Sequence, residues 1–400
     1  MAERSAPLSR TEAPRVGVVG ATGLVGRELV TLLAERRFPR RALRLFASPR
    51  AGRRRVRCGE AMLEVEPLAP PEADGLRNLD LVFLATPAGV SRRLAPACLG
   101  RGAAVVDLSS AFRADDNVPL VVPEVNGARL QHLGMKALDR GSGGSPGSGR
   151  AHAGSSWSGR GLVASPNCCV AIMATVLGPL HRAAGLDRVE ATTYQAASGG
   201  GRAMLESLER EAERWTAHSP GARSDAPPGG PRADLGELLF NVRSHESAED
   251  ETGLNGEERK IVGELRRILD APRLRVTATC VRVPVRRAHA IAVTLTTRRP
   301  MGLAGVRELL GRSPGVAVVD RDAGGRSPEP AWVDGRDLVE VGRIRRDPTG
   351  PGGRSLHLFL AGDQLRKGSA LNAIQIAERL LADSAPRPGR DDAPGLYLYE

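Results

Sequence analysis

Four hundred residues, 41% of them hydrophobic, suffice for two domains that each bury a core. Only 3% are aromatic, so that core must be Leu, Val, Ala and Ile, and few surfaces exist on which nucleic-acid bases could stack. The net charge of +11 is spread as arginine pairs without an RNA- or DNA-binding motif, which excludes nucleic acid as the main partner.

No run approaches the roughly 18 apolar residues of a membrane span, and 1–14 lack the apolar centre of a signal peptide. Cys58, Cys98, Cys168, Cys169 and Cys280 form neither a paired framework nor a zinc spacing. Both points suit a cytoplasmic protein without a structural metal. Lysine occurs only at 136, 260 and 367, so a retained lysine suggests a need for a compact point charge.

Arg15–Val19 predicts a strand, Gly20-Ala21-Thr22-Gly23-Leu24-Val25-Gly26 a glycine turn, and 27–36 a helix. Strand, glycine turn and helix are the context of a dinucleotide fingerprint, whose small residues let the backbone approach a pyrophosphate held at the helix N-terminus. The next strand, 43–47, runs into Ser48-Pro49-Arg50. An acidic residue there would select NAD, whereas serine and arginine suit NADP. Strands at 79–85 and 103–108 with a helix at 90–99 between them continue a β-α-β rhythm, which predicts a doubly wound parallel sheet. Arg113 follows the strand at 103–108, at the end where such sheets bind ligands.

The stretches 138–161 (Gly, Ser, Arg) and 216–233 (Pro, Gly, Ala) lack apolar period and are expected to be flexible surface insertions. Between them Ser165-Pro166-Asn167-Cys168-Cys169 leads into an apolar helix. A thiol in a first helical turn, near free N–H groups, loses its proton more easily and is a better nucleophile. A strand at 189–195 follows, then the N–H-rich turn Ala196 to Gly201, then a helix at 202–215 with Leu205, Leu208, Ala212 and Trp215 on one side. A helix at 257–269 puts Glu257 and Lys260 on one face. Alternation on a strand at 274–285 puts Ala278, Cys280 and Arg282 on one face, and His289 lies just past the following turn. Strands at 288–296 and 355–361 and a final helix at 369–382 complete the chain.

The segments GATGLVG (20–26), ASPRAG (47–52), SSAFRADDNVPLVVPEVN (109–126), SPNCC (165–169), TYQAASGGG (193–201), TATCVRVPVRRAH (277–289), VGRIRRD (341–347) and LRKGSALNAIQIAE (365–378) resemble the aspartate-β-semialdehyde dehydrogenase family in sequence and in order. The resemblance implies an α/β protein: an NADP-binding Rossmann domain over 14–165 plus 364–384, and an α+β catalytic and dimerisation domain over 166–363. It implies Cys168 as nucleophile, His289 as general acid/base and Gln195 orienting the substrate. Arg282 would grip the substrate carboxylate and Glu257 its amino group, with Arg113, Asn167 and Lys260 at the phosphate. Gly20, Thr22, Gly23, Leu24, Val25, Gly26, Ser48, Arg50, Ser198, Gly199 and Gln364 would bind the cofactor, with Asp363, Arg366 and Lys367 in the segment beside it. The implied reaction is NADPH-dependent reductive dephosphorylation of L-aspartyl-4-phosphate in lysine, threonine and methionine biosynthesis, by a homodimer.

Four positions depart from the family pattern. Cys169 stands where Ser or Thr is usual, Ala51 where serine is usual in the adenosine-phosphate loop, Gln364 for asparagine and Ala288 for glycine. Thr86-Pro87 looks more like N-acetyl-γ-glutamyl-phosphate reductase, the nearest alternative enzyme. From another class, a noncatalytic paralogue acting as a binding or assembly partner is the alternative, against which the retained Cys168, Gln195, Arg282 and His289 argue.

Overall fold

The computed structural model describes residues 13–68, 74–131, 161–217, 238–320 and 325–382, which form two compact units. One unit contains the described residues up to Thr22, Leu29–Ser165 and the chain from Ala373 on; the other contains Gly23–Glu28 and Pro166–Asn372. The expected insertions at 138–161 and 216–233 lie outside the described residues except at their edges, as does Lys136. No described helix is long and apolar enough to cross a membrane.

In the first unit, strand β1 (Arg15–Val19) leads through the glycine turn into helix α1 (Leu24–Glu35). Then come β2 (Ala42–Ala47), β3 (Arg55–Cys58), β4 (Ala61–Pro67), β5 (Leu81–Leu84), α2 (Ala88–Gly100), β6 (Ala104–Asp107), the short α3 (Pro123–Asn126) and β7 (Leu162–Ala164). The sheet order is β3-β4-β2-β1-β5-β6-β7, parallel except for the β3–β4 hairpin. Neighbours of β1 lie on opposite sides in sequence order, which makes its carboxyl end the topological switch point where open α/β sheets bind ligands. The strands β1, β5 and β6 read as near-continuous apolar runs because both faces of a parallel sheet are buried.

The second unit is organised around α4 (Cys168–Ala184), whose residues are almost all buried. Being apolar all round, it can only be a core helix. It is followed by β8 (Leu186–Gln195), α5 (Arg202–Ala217), β9 (Arg243–Ser244), α6 (Gly256–Ile268), β10 (Arg275–Arg282) and β11 (His289–Thr297). Helix α7 (Leu303–Gly311), β12 (Val316–Val318), the short α8 (Pro330–Val333), β13 (Val339–Arg346) and β14 (Ser355–Gly362) complete the unit. The sheet is mixed, in the order β12-β13-β14-β11-β8-β10-β9. Its alternation is clean on β10, where Ala278, Cys280 and Arg282 face inward.

Helix α5 differs from expectation: Trp215 is 43% exposed, and Glu211 takes the inward position. Its carboxylate is satisfied there by the backbone N–H groups of Leu238 and Leu239. The final helix also divides. A π-turn spans Arg366–Ala370, and α9 (Leu371–Ala382) returns the chain to the first unit, where Arg36 forms a two-pronged pair with Glu378 at 2.8 Å.

Candidate active site

Helix α4 starts at Cys168 because Asn167 caps it: its Oδ1 accepts from Cys169 N (3.0 Å) and Val170 N (3.3 Å). The other half of the same amide donates from Nδ2 to Glu257 Oε1 at 2.7 Å, and Asn167 N donates to Glu264 Oε2 at 2.6 Å. Asn167, expected at the phosphate, therefore fixes the nucleophile helix to α6. The α6 end is itself held by a capping box between Asn255 and Glu258.

The two adjacent cysteines are sharply different. Cys168 is half-buried and Cys169 fully buried. A hydrogen bond from the Cys169 thiol and the neighbouring His289 ring hold Cys168 well below the usual thiol range against the opposing effect of burial. That same bond, with burial, pushes Cys169 well above it. Burial pushes Cys280 up to about 12 and Cys98 up to about 11, which leaves them protonated space-fillers. Of these four thiols only Cys168 has the electrostatics of a nucleophile.

Strand register assembles the rest. Parallel pairing of β8 with β10 puts Gln195 beside Arg282, and antiparallel β11 starts one strand away with His289. Gln195 Nε2 donates to Thr193 Oγ1 (3.1 Å) and Glu257 Oε1 (3.4 Å), while its Oε1 accepts from Arg282 Nη1 at 3.3 Å. Glu257 also takes Lys260 Nζ at 3.1 Å. Burial raises the Glu257 carboxyl, but Lys260, Asn167 and His245 outweigh it and hold the group at about 2. Glu257 is thus a buried carboxylate that is ionised at neutral pH.

His289 is fully buried, and its Nδ1 accepts from Ala196 N at 3.0 Å. That bond leaves the ring proton on Nε2, which has no hydrogen-bond partner among the described residues. Potential ligand atoms of Cys168, Cys169 and His289 lie within 4.8 Å of one another. Nδ1, which accepts from Ala196 N, is not free to take a metal. The turn at 197–200 closes over this ring: a Cβ on Gly199 would lie 2.9 Å from both His289 Cε1 and Arg282 Nη1.

The other anticipated residues fall as follows. Arg113, in the first unit, donates to the carbonyls of Leu108 and Ser165, each at 2.9 Å, so it clamps the end of β6. Gly20 has φ +86, and a Cβ there would lie 2.1 Å from the Ala85 carbonyl, so only glycine fits this close approach. Thr22 and Gly23 continue that turn, and Leu24, Val25 and Gly26 begin α1, whose first turn carries no acidic residue. Ser48 and Arg50 are exposed, and Arg50 has no ion-pair partner among the described residues. In the second unit, buried Gln364 accepts from Ala288 N at 2.7 Å and donates to Ser198 Oγ, tying together the two turns that flank His289. Asp363 is buried and pairs with Arg287 at 2.7 Å, Arg366 pairs with Glu28 at 2.8 Å, and Lys367 is buried against Asn372.

Sequence reasoning missed three residues. A Cβ on Gly368 would lie 2.9 Å from Cys168 Cβ, so the π-turn packs against the nucleophile itself. His245 and Glu246 both reach Arg282, with His245 Nε2 accepting from Nη2 at 2.8 Å and Glu246 Oε1 from the same nitrogen at 2.6 Å. They sit in the polar run RSHESAED (243–250), where neither periodicity nor motif marks them.

A nucleotide-binding sheet in one unit and an activated thiol at a helix N-terminus in the other define a cysteine-dependent oxidoreductase. Residues 15–133 match the model of the semialdehyde dehydrogenase NAD-binding domain, and 177–367 that of the semialdehyde dehydrogenase dimerisation domain. The chain is 36% identical to the aspartate-semialdehyde dehydrogenase of Corynebacterium glutamicum over 92% of its own length and 99% of that protein's. The crystal structure of aspartate semialdehyde dehydrogenase II from Vibrio cholerae is similar at 30% identity and a TM-score of 0.78, covering 93% of this chain and 99% of that one. The structure of that enzyme complexed with ASA is similar to the same degree, at 29% identity over 93% of this chain and 99% of that one, with a TM-score of 0.78. The chain belongs to the aspartate-semialdehyde dehydrogenase family.

Proposed function

We propose that this chain reduces L-aspartyl-4-phosphate to L-aspartate 4-semialdehyde with NADPH. The observation that carries the reading is one buried cluster in which a low-pKa thiol, Cys168, lies beside His289, an ionised carboxylate, Glu257, and a guanidinium, Arg282. A carboxylate and a guanidinium are complementary to the amino and carboxylate groups of a free amino acid. An N-acylated substrate has no ammonium to offer Glu257, which disfavours the acetylglutamyl-phosphate alternative.

The Cys168 thiolate attacks the acyl carbon, the carbonyl oxygen becomes an oxyanion, and phosphate departs as the C–O bond breaks, leaving a thioester on Sγ. His289 Nε2–H stabilises the oxyanion at this step and at the later hemithioacetal alkoxide, which collapses to the aldehyde as its C–S bond breaks and Cys168 leaves as the thiolate. Lys260 supplies positive charge for the phosphate, and Asn167 positions the helix N-terminus. Gln195 orients the substrate at the thiol.

The cofactor supplies a hydride when bound. Gly20, Thr22, Gly23, Leu24, Val25 and Gly26 form a turn and a first helical turn that suit a pyrophosphate, because a Cβ at Gly20 would fill the cradle and no carboxylate opposes the charge. Arg50, without an ion-pair partner among the described residues, suits a 2′-phosphate together with Ser48, and in the second unit Ser198, Gly199 and Gln364 are assigned to cofactor binding. We assign the nucleotide to 14–165 plus 364–384 and catalysis to 166–363. We also assign a homodimer formed through the half-exposed face of the second sheet. There Thr192, Thr277, Thr279 and Thr294 line a cavity of about 340 Å³ with Arg343 and His357. Five unpaired cysteines support a cytoplasmic location.

The test is NADPH formation from L-aspartate 4-semialdehyde, NADP and inorganic phosphate. Turnover that requires phosphate and vanishes in Cys168→Ser is expected; activity without phosphate would refute the acyl-phosphate chemistry. Arg50→Ala should raise the apparent constant for NADP about tenfold, a charge-assisted contact being worth roughly 1.5–3 kcal/mol, and leave that for NAD almost unchanged.

A further inference from the structure

All the donors of Arg282 are engaged. Nε reaches Glu246 Oε2 at 3.2 Å, Nη1 donates to Gln195 Oε1 (3.3 Å) and Ala196 O (3.2 Å), and Nη2 donates to Glu246 Oε1 (2.6 Å) and His245 Nε2 (2.8 Å). The guanidinium has five N–H groups, so no donor remains for an incoming carboxylate. Three of its acceptors belong to buried side chains or to the backbone. Glu246 is the exception, with a side chain 34% exposed against 2% for Arg282 and 9% for His245.

The surrounding loop is pinned on both sides of Glu246. His245 N donates to Cys280 O at 3.0 Å, and the Ser247 hydroxyl bonds Asn255 Oδ1 at 3.3 Å and accepts from Glu257 N at 3.0 Å. Glu246 can therefore leave the guanidinium by side-chain rotation into solvent, with no movement of the backbone. Leaving a buried guanidinium without a counter-charge is costly, which favours release by exchange of one carboxylate for another.

We propose that Glu246 is an internal stand-in for the substrate's α-carboxylate, occupying the Arg282 fork until the substrate displaces it. The inference rests on the amino-acid substrate proposed above. Glu246 then acts on affinity and on selectivity. It keeps the fork closed to weak anions, and it lowers the apparent affinity for substrate in proportion to the fraction of molecules in which the fork is open. A stand-in engaged nine-tenths of the time weakens binding about tenfold.

The test compares wild type, Glu246→Gln and Glu246→Asp in the phosphate-dependent oxidation direction, with L-aspartate 4-semialdehyde and with 3-aminopropanal, which has the aldehyde and the amine but no carboxylate. For the semialdehyde, KM should fall about three- to tenfold in Glu246→Gln and less in Glu246→Asp, with kcat unchanged. For 3-aminopropanal, KM should stay the same in all three proteins. A semialdehyde KM that is unchanged or raised in both variants overturns the exchange and makes Glu246 a support for Arg282. A wild-type enzyme inactive on the semialdehyde refutes the proposed function instead, so the two failures are distinct.

Discussion

Gly199→Ala tests whether the site depends on the close approach of the 197–200 turn. The added methyl would lie 2.9 Å from Arg282 Nη1, 2.9 Å from His289 Cε1 and 3.1 Å from His289 Nε2. Comfortable contact needs about 3.5 Å, so one partner must retreat by roughly 0.6 Å. Neither moves freely: Arg282 is saturated with hydrogen bonds, and His289 is buried and held by Ala196 N. Overpacking of this kind costs about 1–3 kcal/mol, and a displaced acid/base ring should lower kcat/KM by up to about 100-fold. Gly201→Ala is the control, because Gly201 has φ +92 but open space around it, so only backbone strain of about 1–2 kcal/mol is expected, with little loss of turnover. Thermal melts and phosphate-dependent kinetics on both variants separate the cases. A Gly199→Ala enzyme with wild-type kcat/KM would refute the reasoning.

Three further outcomes are expected. Iodoacetamide at neutral pH should label Cys168 first, and Cys169→Ala should shift the pH dependence of that labelling upward while Cys169→Ser, which retains a donor, shifts it less; mass spectrometry of the modified peptide decides. Ala288→Gly should leave the melting temperature nearly unchanged. Relief of a buried alanine at φ +71 gains about 1–2 kcal/mol, while loss of its methyl against Val333 and Ala361 and the added chain entropy take back a similar amount, about 1–2 kcal/mol. A shift of several degrees either way would contradict that balance. Glu257 lies at about 2 in the folded chain against an ordinary 4.5, so its stabilisation is present above pH 4.5 and lost as pH falls toward 2. Up to about 3 kcal/mol of acid sensitivity over that range should disappear from the urea-unfolding profile of Glu257→Gln.

The nucleotide-binding half was legible because its signals are local. Strand β1 spans the expected 15–19, and helix α1 begins three residues earlier than expected because Leu24 to Gly26 already form its first turn. The β3–β4 hairpin escaped notice although Val56 and Cys58 alternate with arginines before a Gly59-Glu60 turn, since the charged residues hid a period of two. Helix α7 and strand β13 were also missed; VGRIRRD was recognised as a motif without its being read as a strand. In the site, residue types were legible and their partners were not. The Asn167–Glu257 bond joins residues 90 apart in sequence, and the proton position on His289 is set by the backbone of Ala196. The inward turn of Glu211 and outward turn of Trp215 depend on two N–H groups beyond a stretch without apolar period.

The paired charges around Cys168 explain why these partners matter. Glu257 is balanced by Lys260 and Arg282 by Glu246, so the thiolate is left as the one unpaired charge of this buried group. An ionic pair in a poorly solvated site is tolerated only while each member keeps its partner. The Cys168 anion is carried by the Cys169 S–H, the helix N-terminus and the neighbouring His289 ring. A substrate bearing one ammonium and one carboxylate fits that arithmetic. Its carboxylate replaces Glu246 at Arg282 without changing the charge, and its ammonium, placed at Glu257, brings the one positive charge that the thiolate lacks. Binding then assembles a neutral site around the nucleophile, and an amine-free analogue should bind poorly because it leaves the thiolate uncompensated, whereas a carboxylate-free one leaves Glu246 in place at Arg282.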